Sequence, residues 1–506
     1  MAVDPALARL TDEQLVAAAA RLPSAFLEAA PGSGKTTVAA QRFGVLRFAR
    51  RLLPNGAVDD RPVLAVSFTR SATAELRHRV RRSWGPSALT WPHRICTLDT
   101  LVYDLLRDLL VAGLVTWPGG HIELDVKDSW KALVRHGFAT RQWGADVDGS
   151  GVVGVKTVRT HEYRRAVPEP VPMRAELAAG RCTHDDVRRI LTMALPRREV
   201  QERVRQRLAS TVGALIVDEV YDANALDLAL IRAVAEGGAS VTVIGDPWQA
   251  MYGFRGATPN KVPDLIAATG MVTLPLSRSF RWRTVAQRAM AEQLRRGEPV
   301  ALPVVNSTSE IDVVLAREWS QLWDADMGIL PLAFGSTTGN VDEAASTLLL
   351  HSATRSLLRL DAVFLADAMA TLGITALGAI DRLMSGLGDL MARLKHASSR
   401  AAVKDVRQAL VAHVRTESPR YFPSVHHSHV GRLENLRDRL NASRLIPGMT
   451  VHQAKGREWD RVALRLSDEG RATLAAGLSK GNEAHRLLYV ACTRARDTTV
   501  ELWPGS

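Results

Sequence analysis

Short apolar runs alternate with helical patterns from the start of the chain. Residues 25–29 form a mainly apolar run that ends in a Gly-rich turn, and a helical pattern starts at Lys35. A second run, 63–68, is followed by helical 71–82. A third, 214–217, ends in two acids, and a fourth, 241–244, ends in Gly245 and Asp246. Runs this short, separated by helical segments, predict parallel strands covered on both faces. Such sheets bind ligands beyond the carboxyl ends of their strands, and the polar motifs sit at those ends.

The pattern breaks twice. Between the second and third strands, residues 101–210 contain loop-like stretches at 149–154 and 168–172 and a basic helix around 197–207, which predicts a domain inserted into the sheet. A second α/β pattern begins after Thr273, with strands expected at 311–315 and 329–334. Residues 361–443 carry Leu, Ala and Met at helical spacing, and strand character resumes near Met449. The second sheet thus also carries an insertion.

Composition changes this picture little. The 506 residues are 46% hydrophobic and 23% charged, which excludes fibrous and wholly disordered classes. The net charge is +12, from 65 Lys+Arg against 53 Asp+Glu, and favours an anionic partner. Nine of the 65 cations are Lys, and Arg is the better bidentate partner for phosphate. Cys96, Cys182 and Cys492 form no CxxC pair and no disulfide framework, which suits a reducing cytosol. Asp4, Asp12 and Glu13 precede any apolar run, so no signal peptide is expected. Charges break every apolar run before the roughly 18 residues of a membrane span.

The chemistry concentrates first at Ala29-Ala30-Pro31-Gly32-Ser33-Gly34-Lys35-Thr36. A Gly-rich turn between a strand and a helix, closed by Lys-Thr, is the context of a phosphate-binding loop. Gly32 and Gly34 let backbone N–H groups turn towards phosphate, and the helix start adds its positive dipole end. Ala30, Gly32, Ser33, Gly34, Lys35, Thr36 and Thr37 are the expected nucleotide contacts, with Ala29 where the general pattern has Gly. Lys35 would neutralise the β- and γ-phosphates, and the Thr36 hydroxyl would ligate Mg²⁺. Asp218 and Glu219 end an apolar strand downstream. Asp218 would hold Mg²⁺ and Glu219 would act as general base towards water. The two motifs together make NTP hydrolysis the leading activity.

In order along the chain, these and further motifs resemble the UvrD/Rep/PcrA group of superfamily 1 DNA helicases. The resemblance covers nearly the whole chain. It implies two RecA-like P-loop NTPase domains, each with a mostly helical insertion. The expected division is 1–98 with 205–271 for the first, holding an insertion at 99–204. The second is 272–360 with 441–506, holding a reduced insertion at 361–440.

Thr11-Asp12-Glu13-Gln14 is similar to the family's adenine-reading segment, with Gln14 on the adenine edge. Val66-Ser67-Phe68-Thr69-Arg70, followed by Ala74 to Arg79, resembles a DNA-contacting motif in which Phe68 and Thr69 meet the strand. Strand-end core is the alternative for Phe68. In Gly245-Asp246-Pro247-Trp248-Gln249-Ala250-Met251-Tyr252-Gly253-Phe254-Arg255, the resemblance makes Gln249 a γ-phosphate sensor. It makes Tyr252 and Phe254 base-stacking faces, with Phe254 where Trp is commoner.

Ser277-Arg278-Ser279-Phe280-Arg281 resembles the opening of the second domain, with Phe280 near adenine and Arg281 on the γ-phosphate. Met449-Thr450-Val451-His452 continues to Glu458; Thr450 and His452 would meet DNA and Glu458 the ribose. Tyr489-Val490-Ala491-Cys492-Thr493-Arg494 supplies Arg494 as a second arginine finger. Because Arg281 and Arg494 are placed opposite the P-loop domain, hydrolysis is expected to need domain closure.

Three positions depart from the family. Asp99 stands where many members have His, Tyr221 where a Gln follows the acid pair, and Thr37 where an Arg-type stacking partner is frequent.

The resemblance implies an ATP- and Mg²⁺-dependent helicase moving 3′ to 5′ on single-stranded DNA and opening tailed duplex. The expected location is cytoplasmic and nucleoid-associated. The alternative is a DNA-stimulated translocase or protein-displacing accessory factor without robust unwinding. His426, His427 and His429 form a cluster read as a solvated loop rather than a metal site.

Overall fold

The computed structural model describes residues 10–49, 51, 56–130, 143–157, 171–335, 340–374, 378–422 and 427–503. Two compact units result: Met1–Asp128 with Phe138–Arg281, and Ser129–Gly137 with Trp282–Ser506.

The first unit begins with α1 (Asp12–Ala19), β1 (Ser24–Ala29), α2 (Lys35–Phe48), β2 (Val63–Ser67), α3 (Arg70–Trp84), β3 (Arg94–Thr97) and α4 (Leu98–Val111). Then come β4 (Asp125–Lys127), β5 (Trp143–Val147), β6 (Val153–Thr157), α5 (Val171–Ala178), β7 (Arg181–Thr183), α6 (His184–Ala194) and α7 (Arg198–Thr211). The unit closes with β8 (Ala214–Val217), α8 (Ala225–Glu236), β9 (Ser240–Gly245), α9 (Val262–Ala268) and β10 (Val272–Leu276).

Six strands form one sheet in the order β10-β1-β9-β8-β2-β3, and every pairing is parallel. Apolar side chains buried on both faces explain the unbroken apolar runs: all of β2 and β8 is buried. In α4, Leu98, Leu101, Val102, Leu105, Leu106 and Leu109 recur at helical spacing and are all buried.

Arg42 of α2 is fully buried in this core. Its Nε donates to Thr242 Oγ1 at 2.6 Å, and its Nη1 donates to the Ala17 and Ala20 carbonyls at 3.0 and 2.9 Å. Burial pushes its pKa down to about 10. The carbonyls are the last of α1, whose dipole end favours a cation. Arg42 therefore clamps α1 onto the helix that follows the Gly-rich loop.

The structure moves one boundary: β10 pairs with β1, from Ala25 opposite Val272 to Ala29 opposite Leu276. Residues 272–281 thus belong to the first unit rather than opening the second. The first insertion also holds more strand than its composition suggested. β4 pairs with β7, and β5 with β6 in an antiparallel hairpin. Within stretch 149–154, read as a loop, Asp148 Oδ1 closes the turn by accepting from Ser150 N and Val152 N, and β6 follows.

The second unit contains α10 (Val285–Arg296), β11 (Val304–Val305), β12 (Val313–Ala316), α11 (Trp319–Trp323) and β13 (Ile329–Pro331). Five helices follow: α12 (Val341–Leu358), α13 (Leu365–Leu372), α14 (Ala379–Lys395), α15 (Arg400–Val414) and α16 (His427–Leu440). The unit ends with β14 (Ile446–Thr450), α17 (Val451–Ala454), β15 (Trp459–Arg465), α18 (Asp468–Ala476), α19 (Glu483–Cys492) and β16 (Ala495–Leu502). Its sheet runs β11-β16-β15-β12-β14-β13, again with parallel pairings.

The helical body shares one core through Leu348, Leu349, Leu383, Leu387, Leu410, Leu433 and Leu436. That core includes α12, so the helical body begins at Val341 and not at 361. α12 also packs on Leu330 of β13, which joins the helices to the sheet. A buried pair, Arg407 with Asp342, ties α15 to the start of α12. Among the described residues, no helix is long and apolar enough to cross a membrane.

Candidate functional site

The loop between β1 and α2 takes its shape from two glycines. Gly32 has φ +72 and Gly34 φ +81, both in the left-handed region that costs glycine least. Space is as restrictive as conformation. A Cβ on Gly32 would lie 2.5 Å from Arg281 Cβ, and one on Gly34 would lie 2.8 Å from Gln14 Nε2. Gly34 offers α2 no side-chain cap, so the first N–H groups of the helix face the loop without one. The Ser33 hydroxyl is buried and has no hydrogen-bond partner.

The acids arrive from the end of β8, two places from β1 in the sheet. Asp218 follows β8 and is 4% exposed, its N–H donating to Val66 O at 3.0 Å. Glu219 adopts φ 59, ψ 46, a conformation that costs a non-glycine residue roughly 1–3 kcal/mol. The turn aims its carboxylate at the loop, where Glu219 Oε1 lies 2.7 Å from Lys35 Nζ. Gln249 follows β9, between β1 and β8 in the sheet. Its Nε2 donates to Asp246 Oδ2 at 2.9 Å, and Asp246, fully buried, also accepts from Trp248 N at 3.1 Å.

The donor set fits a magnesium-bound nucleotide. A buried hydroxyl without a partner, a helix start with no side-chain cap and an ammonium match a polyphosphate. Thr36 and Asp218 offer hard oxygens, and Mg²⁺ is commonly held by one or two protein ligands plus phosphates and water. Among the described residues, no cluster of three or more His, Cys, Asp or Glu could hold a metal by itself. His426 lies outside the described residues, as do the side chains of His427 and His429.

Gln14 is buried, and its amide is engaged inside the protein. Oε1 accepts from Thr11 N at 3.0 Å in a capping box, and Nε2 donates to Ser33 O at 2.9 Å. Gln14 therefore braces the loop, with one N–H and one lone pair left for a base edge. Next to it, Glu13 accepts from Ser277 N and Ser277 Oγ at 2.8 and 2.6 Å, which lowers its pKa.

This bond fastens a strap of residues 276–281 along the loop. Ala30 N donates to Leu276 O at 3.0 Å, and Phe280 N donates to Gly32 O at 2.9 Å. The Phe280 ring is half exposed, with the Arg278 guanidinium 5.2 Å from its centroid. Phe280 and Arg281 thus border the loop from within the first unit. Sequence reasoning had placed them in the second, because Glu13 and the β10 pairing carry no local signal.

Two departures acquire structural roles. Tyr221 is buried edge-on against Phe26, with ring centroids 6.2 Å apart. Burial, then the carboxylates of Glu28 and Asp246, push its pKa to about 12, so it stays a neutral phenol. Asp99 pairs with Arg188 Nε at 2.6 Å, and Arg188 Nη1 reaches Asp227 at 2.8 Å. Burial raises the Asp227 pKa despite that partner. Asp99 therefore joins α4 to α6 and α8 and does not present a bare charge.

Of the candidate DNA contacts in this unit, Tyr252 and Phe254 form a tilted pair 6.0 Å apart. Arg255, to which the sequence had assigned no role, lies 5.2 and 5.5 Å from their centroids. Phe254 is 64% exposed. Phe68 is half-buried, and the exposed Thr69 caps α3 by accepting from Ala72 N at 3.1 Å.

In the second unit, Thr450 is buried at the end of β14, and His452 is half-buried on α17. Glu458 is exposed, 3.9 Å from Arg496. Arg494 is 1% exposed and folds back, its Nε donating to Val490 O at 3.0 Å.

Comparison with known proteins agrees with these motifs. Residues 12–255 match the model of an AAA domain, and residues 403–500 match that of a UvrD-like helicase C-terminal domain. DNA helicase II of Escherichia coli is 27% identical over 300 residues, covering 56% of this chain and 39% of its own. ATP-dependent DNA helicase Rep of the same organism is 25% identical over 252 residues, 46% of this chain and 35% of its own. ATP-dependent DNA helicase UvrD2 of Mycobacterium bovis is 23% identical over 572 aligned positions, 98% of this chain and 79% of its own. The match to helicase II thus spans about two fifths of that relative's length.

Proposed function

The chain belongs to the UvrD/Rep-like superfamily 1 helicases, and from that premise we propose that it is an ATP-dependent DNA helicase translocating 3′ to 5′ on single-stranded DNA. The observation that carries the reading is the Lys35–Glu219 contact of 2.7 Å, made across the carboxyl ends of β1 and β8. It puts a phosphate-neutralising ammonium and a candidate general base on one point.

ATP would be held by Lys35, Thr36 and the N–H groups of the loop. Mg²⁺, when bound through Thr36 and Asp218, supplies neutralising charge. The chain's own residues do the rest. Lys35 holds Glu219 in the resting protein, and its withdrawal towards phosphate leaves the Glu219 carboxylate to accept a proton from water. Gln249, held by Asp246, sits at the next strand end to register the phosphate. Arg281 and Arg494 are the arginines assigned to the phosphates. DNA is assigned to Phe68, Thr69, Tyr252, Phe254, Thr450 and His452, and adenosine to Gln14, Thr37, Phe280 and Glu458. A cytoplasmic, nucleoid-associated location goes with this reading.

The test measures ATP hydrolysis with and without single-stranded DNA, then unwinding of 3′-tailed and 5′-tailed duplexes. DNA-stimulated hydrolysis and opening of the 3′-tailed duplex are expected. A 5′ preference refutes the polarity. Stimulated hydrolysis without unwinding selects the translocase alternative. Tyr221 favours that alternative, because it stands where the resemblance has a Gln and packs its ring edge-on against Phe26.

The stacking face gives a smaller, separate expectation. Phe254→Ala weakens binding of single-stranded oligonucleotide by about 1–3 kcal/mol, since each stacked base contributes that much. Fluorescence anisotropy reads the loss directly. An unchanged affinity removes Phe254 from the DNA site.

A further inference from the structure

The first turn of α2 meets a side chain to which no role has been assigned. Arg79 lies on α3, and its Nη1 donates to Thr37 Oγ1 at 2.6 Å. Its Nε donates to Glu75 Oε1, also at 2.6 Å, one helical turn earlier. Glu75 and Thr37 thus fix two edges of the guanidinium. The side chain is still 42% exposed, so its plane is not packed beneath protein.

The position of Thr37 gives this anchoring a purpose. A Cβ on Gly34 would meet Gln14 Nε2 at 2.8 Å and Thr37 Cβ at 3.9 Å, so both residues border the same corner of the loop. Phe280 is tied to Gly32 O on the loop's other side. The loop is therefore flanked by an amide, an aromatic ring and a guanidinium plane. Such groups recognise a heterocycle by its edge and its faces. Phosphate has its own partners in Lys35 and the N–H groups. Threonine at position 37 is too short to cover a base, but its hydroxyl orients an arginine that can.

We propose that Arg79 is a nucleotide-binding residue that covers one face of the ATP base, reaching from α3 to the place Thr37 leaves open. This rests on reading the loop as an ATP site. It assigns base affinity to a helix remote in sequence from the loop.

The experiment titrates the full chain with ATP carrying a ribose-linked methylanthraniloyl fluorophore, and competes it with inorganic tripolyphosphate, which has no base. Arg79→Ala is expected to weaken nucleotide binding about five- to tenfold, within the range of a cation–π contact. Competition by tripolyphosphate should stay within twofold of wild type. Arg79→Gln keeps a donor for Thr37 and good helix propensity, and should show the same loss, which separates the face from the fold. Adding Thr37→Arg to Arg79→Ala should restore most of the affinity. Nucleotide affinity within twofold of wild type in Arg79→Ala overturns the proposal. So does an equal loss for nucleotide and tripolyphosphate, which would make Arg79 a phosphate contact. A wild-type chain that binds neither ligand overturns the ATP-site reading, and this proposal with it.

Discussion

Lys35→Ala lowers DNA-stimulated ATP hydrolysis by at least about 10²–10³-fold, the loss seen when one preorganised charge-stabilising group is removed from a transition state. Lys35 is 12% exposed, begins α2 and lies 2.7 Å from Glu219. The loop's N–H groups are dipoles, and Lys35 adds a full positive charge at the start of α2, so alanine removes a large share of the local neutralisation. The fold should survive. Alanine is a good first-turn residue, and Glu219 at 23% exposure can be solvated when its partner goes. Phosphate release measures the rate and circular dichroism the melting. Hydrolysis within about threefold of wild type with the fold intact would sink the active-site assignment.

Glu219→Gln separates chemistry from binding. A carboxylate that accepts a proton in the transition state contributes about 10²–10⁴-fold, and glutamine keeps the shape without the basicity. Hydrolysis should fall by that factor. Nucleotide affinity should hold or rise, because the neutral amide competes less with phosphate for Lys35. The strained backbone at φ 59 is unchanged by the substitution, so stability should move little. Parallel nucleotide titration and single-turnover hydrolysis decide the matter. A rate within about threefold of wild type would transfer the base role to another group. A parallel collapse of affinity would mean that Glu219 is a binding residue.

Much of the fold was legible because its signals are local. Most of run 63–68 and all of 214–217 lie in strands buried on both faces, and an apolar run between helices encodes that arrangement directly. The Gly-rich loop was legible for the same reason, since its glycine conformations and its strand–helix context are contiguous in sequence. The miss at 272–281 has the opposite character. Those residues join the first sheet through β1 and fasten to Glu13, a partner 264 positions away. Nothing in their own pattern says which sheet they pair with. The start of the helical body was missed similarly. α12 looked like part of an α/β alternation, yet its buried side chains pack with α13 to α16 as well as on β13.

The charge balance alone suggested any polyanion, and the ordered motifs narrowed that to nucleotide phosphate and DNA. The sequence by itself determined the parallel α/β class and the positions of the Gly-rich loop, the acid pair and the aromatics Tyr252 and Phe254, because each is set by neighbours in the chain. Only the tertiary structure decided which partners those residues hold. It joined Lys35 to Glu219, turned Gln14 onto Ser33, buried Tyr221 on Phe26, neutralised Asp99 with Arg188 and brought Arg79 to Thr37. The physical reason is that charge pairing and close packing depend on distance in space, and spacing along a chain predicts that distance only within a helix, a strand or a tight turn.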